Sequence, residues 1–252
     1  MIKNNRVLVV IPARLGGYRF PDKPLQKIAG KPMIEWVWMN ACNSEYADDV
    51  IIATPDKEIY EVGTAFGAKV NMTRSEHRRG TERVHEVYKQ MDSKPDIIVN
   101  FQGDEPLVSA KWLDRAIEVL YKDLYAACVN LYKWMEYEEA NEDQNEVKVV
   151  TDRNDYALYF SRNALPAKWL GDKQFKCKIE ICIMPMWAHA LEMFAQSENC
   201  YYEEIESVDM MRFVEYGEKV KMIECTDPVQ SVDCQEDLLK AEKIIIDKIN
   251  RG

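Results

Sequence analysis

Apolar residues come in short unbroken runs along the N-terminal part of the chain, and between the runs they recur at helical spacing. RVLVVIP (6–12), DVIIAT (49–54), AKVNMT (68–73) and DIIVNF (96–101) read as strands. Unbroken runs of that length, rich in Val and Ile, predict strands covered on both faces. The segments between them, KPMIEWVWMNACNS, DKEIYEVGTAFG and GTERVHEVYKQM, read as helices. Pro32 stands near the start of the first, Gly67 ends the second and Thr81 opens the third, as start and stop chemistry requires. Strand and helix alternate, which predicts an α/β fold of βαβ units around a mostly parallel sheet. Ligands of such sheets bind at the carboxyl ends of strands. Two polar segments lie there, PARLGGYRFPDKPL (12–25) and QGDEP (102–106).

The middle of the chain changes character. YAACVNLYKW, EVKVVTD, ALYFSR and KIEICIMPMWA read as further strands with longer connections, and ALEMFAQ and EEIESVDMMRFVEYG as helices. KVKMIEC predicts a late strand and CQEDLLKAEKIIIDKINR an amphipathic C-terminal helix. The simplest organisation is one domain over 1–252 with an inserted arm at about 155–216.

Composition narrows the function classes. A chain of 252 residues can bury a substantial core. A net charge of −10 argues against a general nucleic-acid binder. It also makes a cationic N-terminal turn notable. Seven irregularly spaced cysteines without a CxxC pair, and only three histidines, argue against a zinc site or a disulfide framework. They suit free thiols in a reducing compartment. The apolar run near the N-terminus is too short for a signal peptide, and no segment approaches a membrane span. A cytoplasmic protein is expected.

Four segments carry candidate chemistry. Arg14, Arg19 and Lys23 stand among Gly16, Gly17, Pro21 and Pro24. Glycines admit an anion close to the backbone, and Arg and Lys grip phosphate as fork and point charge. The spacing differs from the Walker and Rossmann fingerprints. In QGDEP, Asp104 is either a divalent-cation ligand or, like Glu105, a surface turn carboxylate. In SVDCQEDL (231–238), Asp233 is either a helix cap or a second ligand for the same metal. RSEHRRGTERV (74–84) supplies Arg78, Arg79 and Arg83 around a helix start, which is either an anion site or a place where Thr81, Glu82 and Arg83 are only cap and surface residues. His77 and His85 read as surface or loop histidines.

Taken in order, PARLGGYRFPDKPLQKIAGKPMI, TRSEHRRGTERV, VNFQGDEP, VKVVTDRNDYALYFSR and SVDCQEDL resemble the 3-deoxy-manno-octulosonate (Kdo) cytidylyltransferases, or CMP-Kdo synthetases. The resemblance implies a Rossmann-like, GT-A-like nucleotidyltransferase fold of three layers with a dimerisation arm. It implies a cytoplasmic homodimer that uses CTP and Mg²⁺, joins CMP to an acidic acceptor and releases pyrophosphate. By position, Arg14, Arg19 and Lys23 match the cations that hold the triphosphate. Arg83 and Gln102 match nucleotide-side residues, and Asp104 and Asp233 match the metal-binding aspartates. Lys23, Arg14, Asp104 and Asp233 are thereby the expected catalytic set.

Departures from the family pattern cluster on the acceptor side, where Lys178, Asp209, Met210 and Arg162 are the expected substrate contacts. Where the family carries an HxGxYxY-like strand, this chain has KIEICIMP: Lys178 replaces histidine, Glu180 a small residue, and Cys182 and Met184 tyrosines. Asp209 and Met210 replace Glu-Gln. In the first motif Gly17 replaces serine and Asp22 replaces glycine. A lysine at 178 suits a more anionic acceptor. Kdo or a related ulosonic acid is the expected acceptor. A small phosphonate such as phosphonoformate is the alternative, and a non-catalytic nucleotide-binding homologue a second one.

Overall fold

The computed structural model describes residues 2–16, 20–169, 171, 173–198 and 200–251. The chain runs through β1 (Val7–Pro12), the short strands β2 (Lys27–Ile28) and β3 (Lys31–Pro32), α1 (Met33–Cys42), β4 (Asp49–Thr54) and α2 (Lys57–Ala65). It continues through β5 (Lys69–Met72), α3 (Gly80–Gln90), β6 (Ile97–Phe101), α4 (Ala110–Lys122), β7 (Cys128–Glu136), α5 (Tyr137–Glu142) and β8 (Lys148–Thr151). Then come β9 (Ala157–Ser161), β10 (Lys176–Ile181), β11 (Ile183–Trp187), α6 (Ala188–Gln196), α7 (Tyr201–Glu206), α8 (Asp209–Glu215), β12 (Val220–Glu224) and α9 (Gln235–Arg251).

A ten-stranded sheet orders its strands β5-β4-β1-β6-β11-β7-β10-β8-β9, with β12 paired to β7. The β5, β4, β1 and β6 pairings are all parallel. Antiparallel pairing begins at β11. By direction β1, β4, β5, β6, β7, β8 and β12 run one way and β9, β10 and β11 the other, so the sheet is mostly parallel, as expected. Strands β9, β10 and β11 of the expected arm belong to this sheet.

Strand period decides the layers. In β1, Val7, Val9 and Ile11 enter one core with residues of α1, α4 and α9. Leu8 and Val10 enter the other with residues of α3, α6 and α8. All five are essentially buried, and each such side chain contributes roughly 1.5–3 kcal/mol. Helices on both faces give the three-layer architecture.

Several elements differ from expectation: β2, β3 and α5 were not among the expected elements. Helix α4 is not among the expected elements, yet it buries Trp112, Leu113, Ala116, Ile117 and Leu120, a stripe at helical spacing. The expected strand KIEICIMPMWA divides at Cys182 into β10 and β11. The Cys182 N–H there donates to Glu105 Oε1 at 3.1 Å. The expected helix EEIESVDMMRFVEYG divides at Ser207, whose φ of 55° is left-handed, into α7 and α8.

Candidate active site

From β1 the chain moves outward to β4 and β5, then crosses back to place β6 on the other side of β1. That reversal is the topological switch point, and it opens a crevice at the carboxyl ends of β1 and β6. Two glycines let the bordering segments close on one another. A Cβ on Gly103 would stand 3.0 Å from the Pro12 carbonyl oxygen and 3.3 Å from Ile34 Cδ1. A Cβ on Gly80 would stand 3.3 Å from Pro12 Cγ.

The crevice is a cleft of about 290 Å³ between the β1 end, the start of α3 and the β6 end. Arg14, Lys23, Arg78, Arg79, Arg83, Gln102 and Asp104 all line it. Arg14 is exposed and makes no ion pair among the described residues. Arg83 is buried, and its Nη1 donates to Thr73 Oγ1 and, at 2.9 Å, to the Arg74 carbonyl. Burial, then the neighbouring Arg14 charge, lowers the Arg83 pKa. An anion between the two arginines would relieve that repulsion. Arg79 is spent elsewhere: its guanidinium pairs with Glu203 and donates to Ser207 Oγ at 2.7 Å. His77 also lines the cleft and pairs with Glu86. Arg19 and Gly17 lie outside the described residues.

Lys23 opens a single 3₁₀ turn, Lys23–Leu25, directly after Asp22. Asp22 is exposed with a φ of 52°. This is the left-handed conformation that favours glycine and that aspartate tolerates better than most residues. It explains in backbone terms why the resembled family has glycine there, and it leaves the carboxylate on the exposed side of the turn. Lys23 Nζ reaches Asp104 Oδ2 at 2.8 Å and Asp233 Oδ1 at 3.3 Å. Burial pulls the Lys23 pKa down, but the charges of Asp104 and Asp233 more than offset it and hold the ammonium above its ordinary value.

In the first turn of α9 the Asp237 carboxylate reaches back and accepts the N–H groups of Asp233 at 3.1 Å and Cys234 at 3.2 Å. Two further links hold the aspartate loops together. The Val232 N–H donates to the Asp104 carbonyl at 3.0 Å, and Ser231 Oγ donates to Glu105 Oε1 at 2.7 Å. Glu105 is therefore no surface carboxylate; it is 2% exposed. Burial, reinforced by Asp104, pushes it up to about 8.

A second cleft, of about 140 Å³, opens on the other side of Gln102 and Asp104, which line both. Arg162, Glu180, Cys182, Met184 and Asp209 line it. Arg162 is held by carbonyls: Nε donates to Glu206 at 2.7 Å, Nη1 to Gln144 at 3.1 Å and Nη2 to Ser207 at 3.2 Å. Asp209 Oδ2 accepts from the Thr81 hydroxyl at 2.6 Å and the Thr81 N–H at 3.2 Å, tying the start of α8 to the start of α3. Burial raises its pKa, opposed first by the Thr81 hydroxyl.

Two of the expected acceptor contacts are not brought to this cleft. Lys178 is satisfied by Thr151 Oγ1 at 2.8 Å and Asp155 Oδ1 at 2.9 Å, and it lies 4.4 Å from the Tyr132 ring centroid. Met210 is fully buried in the core beside Cys128. Ser231 and Asp237 were not expected to matter. The signal for Asp237 lies in SVDCQED, where an acid in the first helical turn suits the cap. Nothing local marks Ser231.

Asp104 Oδ2 and Asp233 Oδ1 converge on one point, the Lys23 ammonium. Two hard carboxylate oxygens beside an anion cleft suit Mg²⁺, which takes one or two carboxylates and completes its shell with phosphate and water. Among the described residues no group of three or more His, Cys, Asp or Glu forms a closed metal cage. A switch-point cleft lined with cations and bordered by Asp104 suits a polyphosphate ligand.

Comparison with known proteins agrees. The family model described as cytidylyltransferase matches residues 8–220. A 3-deoxy-manno-octulosonate cytidylyltransferase of Fusobacterium nucleatum is 38% identical over 92% of this chain and 94% of its own length. That of Chloroherpeton thalassium is 33% identical over 97% and 99%. A solved structure of CMP:2-keto-3-deoxy-manno-octonic acid synthetase complexed with CTP has a TM-score of 0.87 at 30% identity, covering 96% of this chain and 99% of that one. The chain belongs to the cytidylyltransferase family, among its 3-deoxy-manno-octulosonate cytidylyltransferases.

Proposed function

We propose that the chain transfers CMP from CTP to 3-deoxy-manno-octulosonate or a related ulosonic acid and releases pyrophosphate. The observation that carries this reading is the position of Lys23, Asp104 and Asp233. They form one ion-paired group, and its Asp104 lines both a cationic cleft and a smaller cleft that holds a guanidinium. The activities in the names of the relatives, and the CTP in the similar structure, point the same way.

In this reaction an acceptor hydroxyl attacks the α-phosphorus. The new O–P bond forms as the bond to the leaving pyrophosphate breaks, so negative charge builds on the phosphate oxygens. Arg14 and Arg83 receive that charge in the large cleft, and Arg83 does so from a position fixed by Thr73 and Arg74, as preorganised stabilisation requires. Lys23 stays protonated at neutral pH, because its carboxylate partners hold its pKa up. It acts as a cation and not as a base. Gln102, at the border of the two clefts, separates nucleotide from acceptor. Arg162 offers the small cleft a guanidinium for the acceptor's carboxylate. Mg²⁺ held by Asp104 and Asp233 would add positive charge against the phosphates and lower the pKa of the acceptor hydroxyl.

The implied homodimer belongs to this proposal too, and Leu158, Tyr201, Tyr202 and Ile205 give the 155–216 region exposed apolar surface. The test is product analysis with CTP, Mg²⁺ and Kdo. A CMP-sugar formed in step with pyrophosphate, and only with acceptor present, is expected. CTP consumption without a CMP-sugar would contradict it.

A further inference from the structure

The sequence alone suggests a more anionic acceptor, because lysine stands at 178. The structure reverses the sign. Lys178 is held outside the small cleft, and the side chain that β10 contributes to the cleft wall is Glu180.

Glu180 is 6% exposed. Its Oε1 accepts one hydrogen bond, from Asn130 Nδ2 at 2.7 Å. It makes no ion pair among the described residues. An unpaired buried charge is costly, so without a cation the carboxyl is held in its neutral form, and Asn130, itself fully buried, fixes it in place. Glu105, on the same cleft wall, has a buried Oε2 with no hydrogen-bond partner. Of the other acids there, Glu146 is paired with Lys133 at 2.9 Å, and Asp209 is satisfied by Thr81 and lies 3.9 Å from Arg79. The cleft thus offers a ligand one guanidinium, Arg162, and carboxyl groups short of a positive partner.

Resting on the cytidylyl-transfer reading above, we propose that the acceptor is zwitterionic: an ulosonic acid whose carboxylate pairs with Arg162 and whose primary amine pairs with Glu180. An ammonium supplies the charge-assisted hydrogen bond that Glu180 lacks, roughly twice as strong as a bond from a neutral hydroxyl. Such an acid is acidic enough for Arg162 and is drawn into the cleft by both ends.

The experiment measures pyrophosphate release from CTP and Mg²⁺ with three acceptors. They are Kdo, a derivative with a primary amine replacing one hydroxyl, and that derivative after N-acetylation. Each is run with the wild type and with Glu180→Gln, which keeps the Asn130 contact and cannot take up the negative charge that an ammonium would pair with. The amine is expected to exceed the parent in kcat/KM by about tenfold or more, and acetylation to abolish the gain. Glu180→Gln is expected to collapse the amine-to-parent ratio towards one. Turnover of the parent as good as or better than the amine, or a ratio unchanged in Glu180→Gln, overturns the proposal and leaves the cytidylyl-transfer reading standing. Silence with all three acceptors overturns both.

Discussion

Lys23 is the residue on which the site turns. An ammonium 2.8 Å from one carboxylate and 3.3 Å from another holds two negative groups together that would otherwise repel. Replacing Lys23 with Met removes that link and one cation of the large cleft, so kcat is expected to fall by about 10²–10³, the range for losing one preorganised charge contact. Asp104→Ala and Asp233→Ala are each expected to lose at least about 10²-fold in turnover, since removing even an outer-shell partner of a metal site costs about 10–100-fold. All three variants should keep wild-type circular dichroism, because the side chains are about a quarter exposed and carry little of the core. Full activity in Asp233→Ala, with Mg²⁺ as the only metal, would contradict its assignment.

Glu180 gives a residue-scale prediction about stability. Burial, reinforced by Asp209 and opposed by Arg162 and the Asn130 hydrogen bond, raises it from 4.5 to about 8. Between those values the unfolded chain has lost this proton and the folded chain still holds it. The native state binds more protons there, so this group's contribution to stability falls as pH rises from about 4.5 to about 8. Glu180→Gln removes the titration. Its Tm, measured across that window, should decline less with pH than that of the wild type, and parallel curves would contradict the assignment.

At the scale of elements, the site depends on close approach between the ends of β1 and β6. Gly103→Ala places a methyl 3.0 Å from a backbone oxygen, which cannot yield as a side chain can. A cost of about 1–3 kcal/mol is expected, read from denaturant midpoints, together with reduced activity from the displaced Asp104 turn. Elements were legible where one local rule decides. β1, β4 and β6 announce themselves because both of their faces are covered, so the apolar run is unbroken. Arg14, Lys23, Asp104 and Asp233 were legible as candidates because they lie at the ends of those strands or just before the last helix, whereas Gln102 entered through the family resemblance alone. The division of β10 from β11 was not, because Cys182 is set by Glu105, distant in sequence. Lys178 and Glu180 are two apart on one strand, and only the turn carrying Asp155 decides that the lysine is satisfied away from the cleft. Met210 lies on the core face of α8, which a motif position cannot reveal.

For the whole molecule, a cationic cleft stands in a chain of net charge −10. The local field attracts a triphosphate that the net charge repels. Salt screens both, and the short-range attraction of the cleft cations Arg14 and Arg78 is expected to dominate. Raising ionic strength from about 0.01 to 0.15 M shortens the screening length from about 30 to about 8 Å. The KM for CTP should rise several-fold over that range, and an unchanged KM would separate the cleft from the triphosphate. Among the described residues no helix is long and apolar enough to cross a membrane. Two clefts that share Gln102 and Asp104 in a three-layer fold suit the two halves of the proposed reaction.

The most direct test is pyrophosphate release from CTP, Mg²⁺ and an ulosonic acid, compared between wild type and Asp104→Ala in matched, folded preparations. Acceptor-dependent release by the wild type, lost in the variant, is the predicted result. Equal release by both proteins, or release that ignores the acceptor, would contradict the site described for this fold.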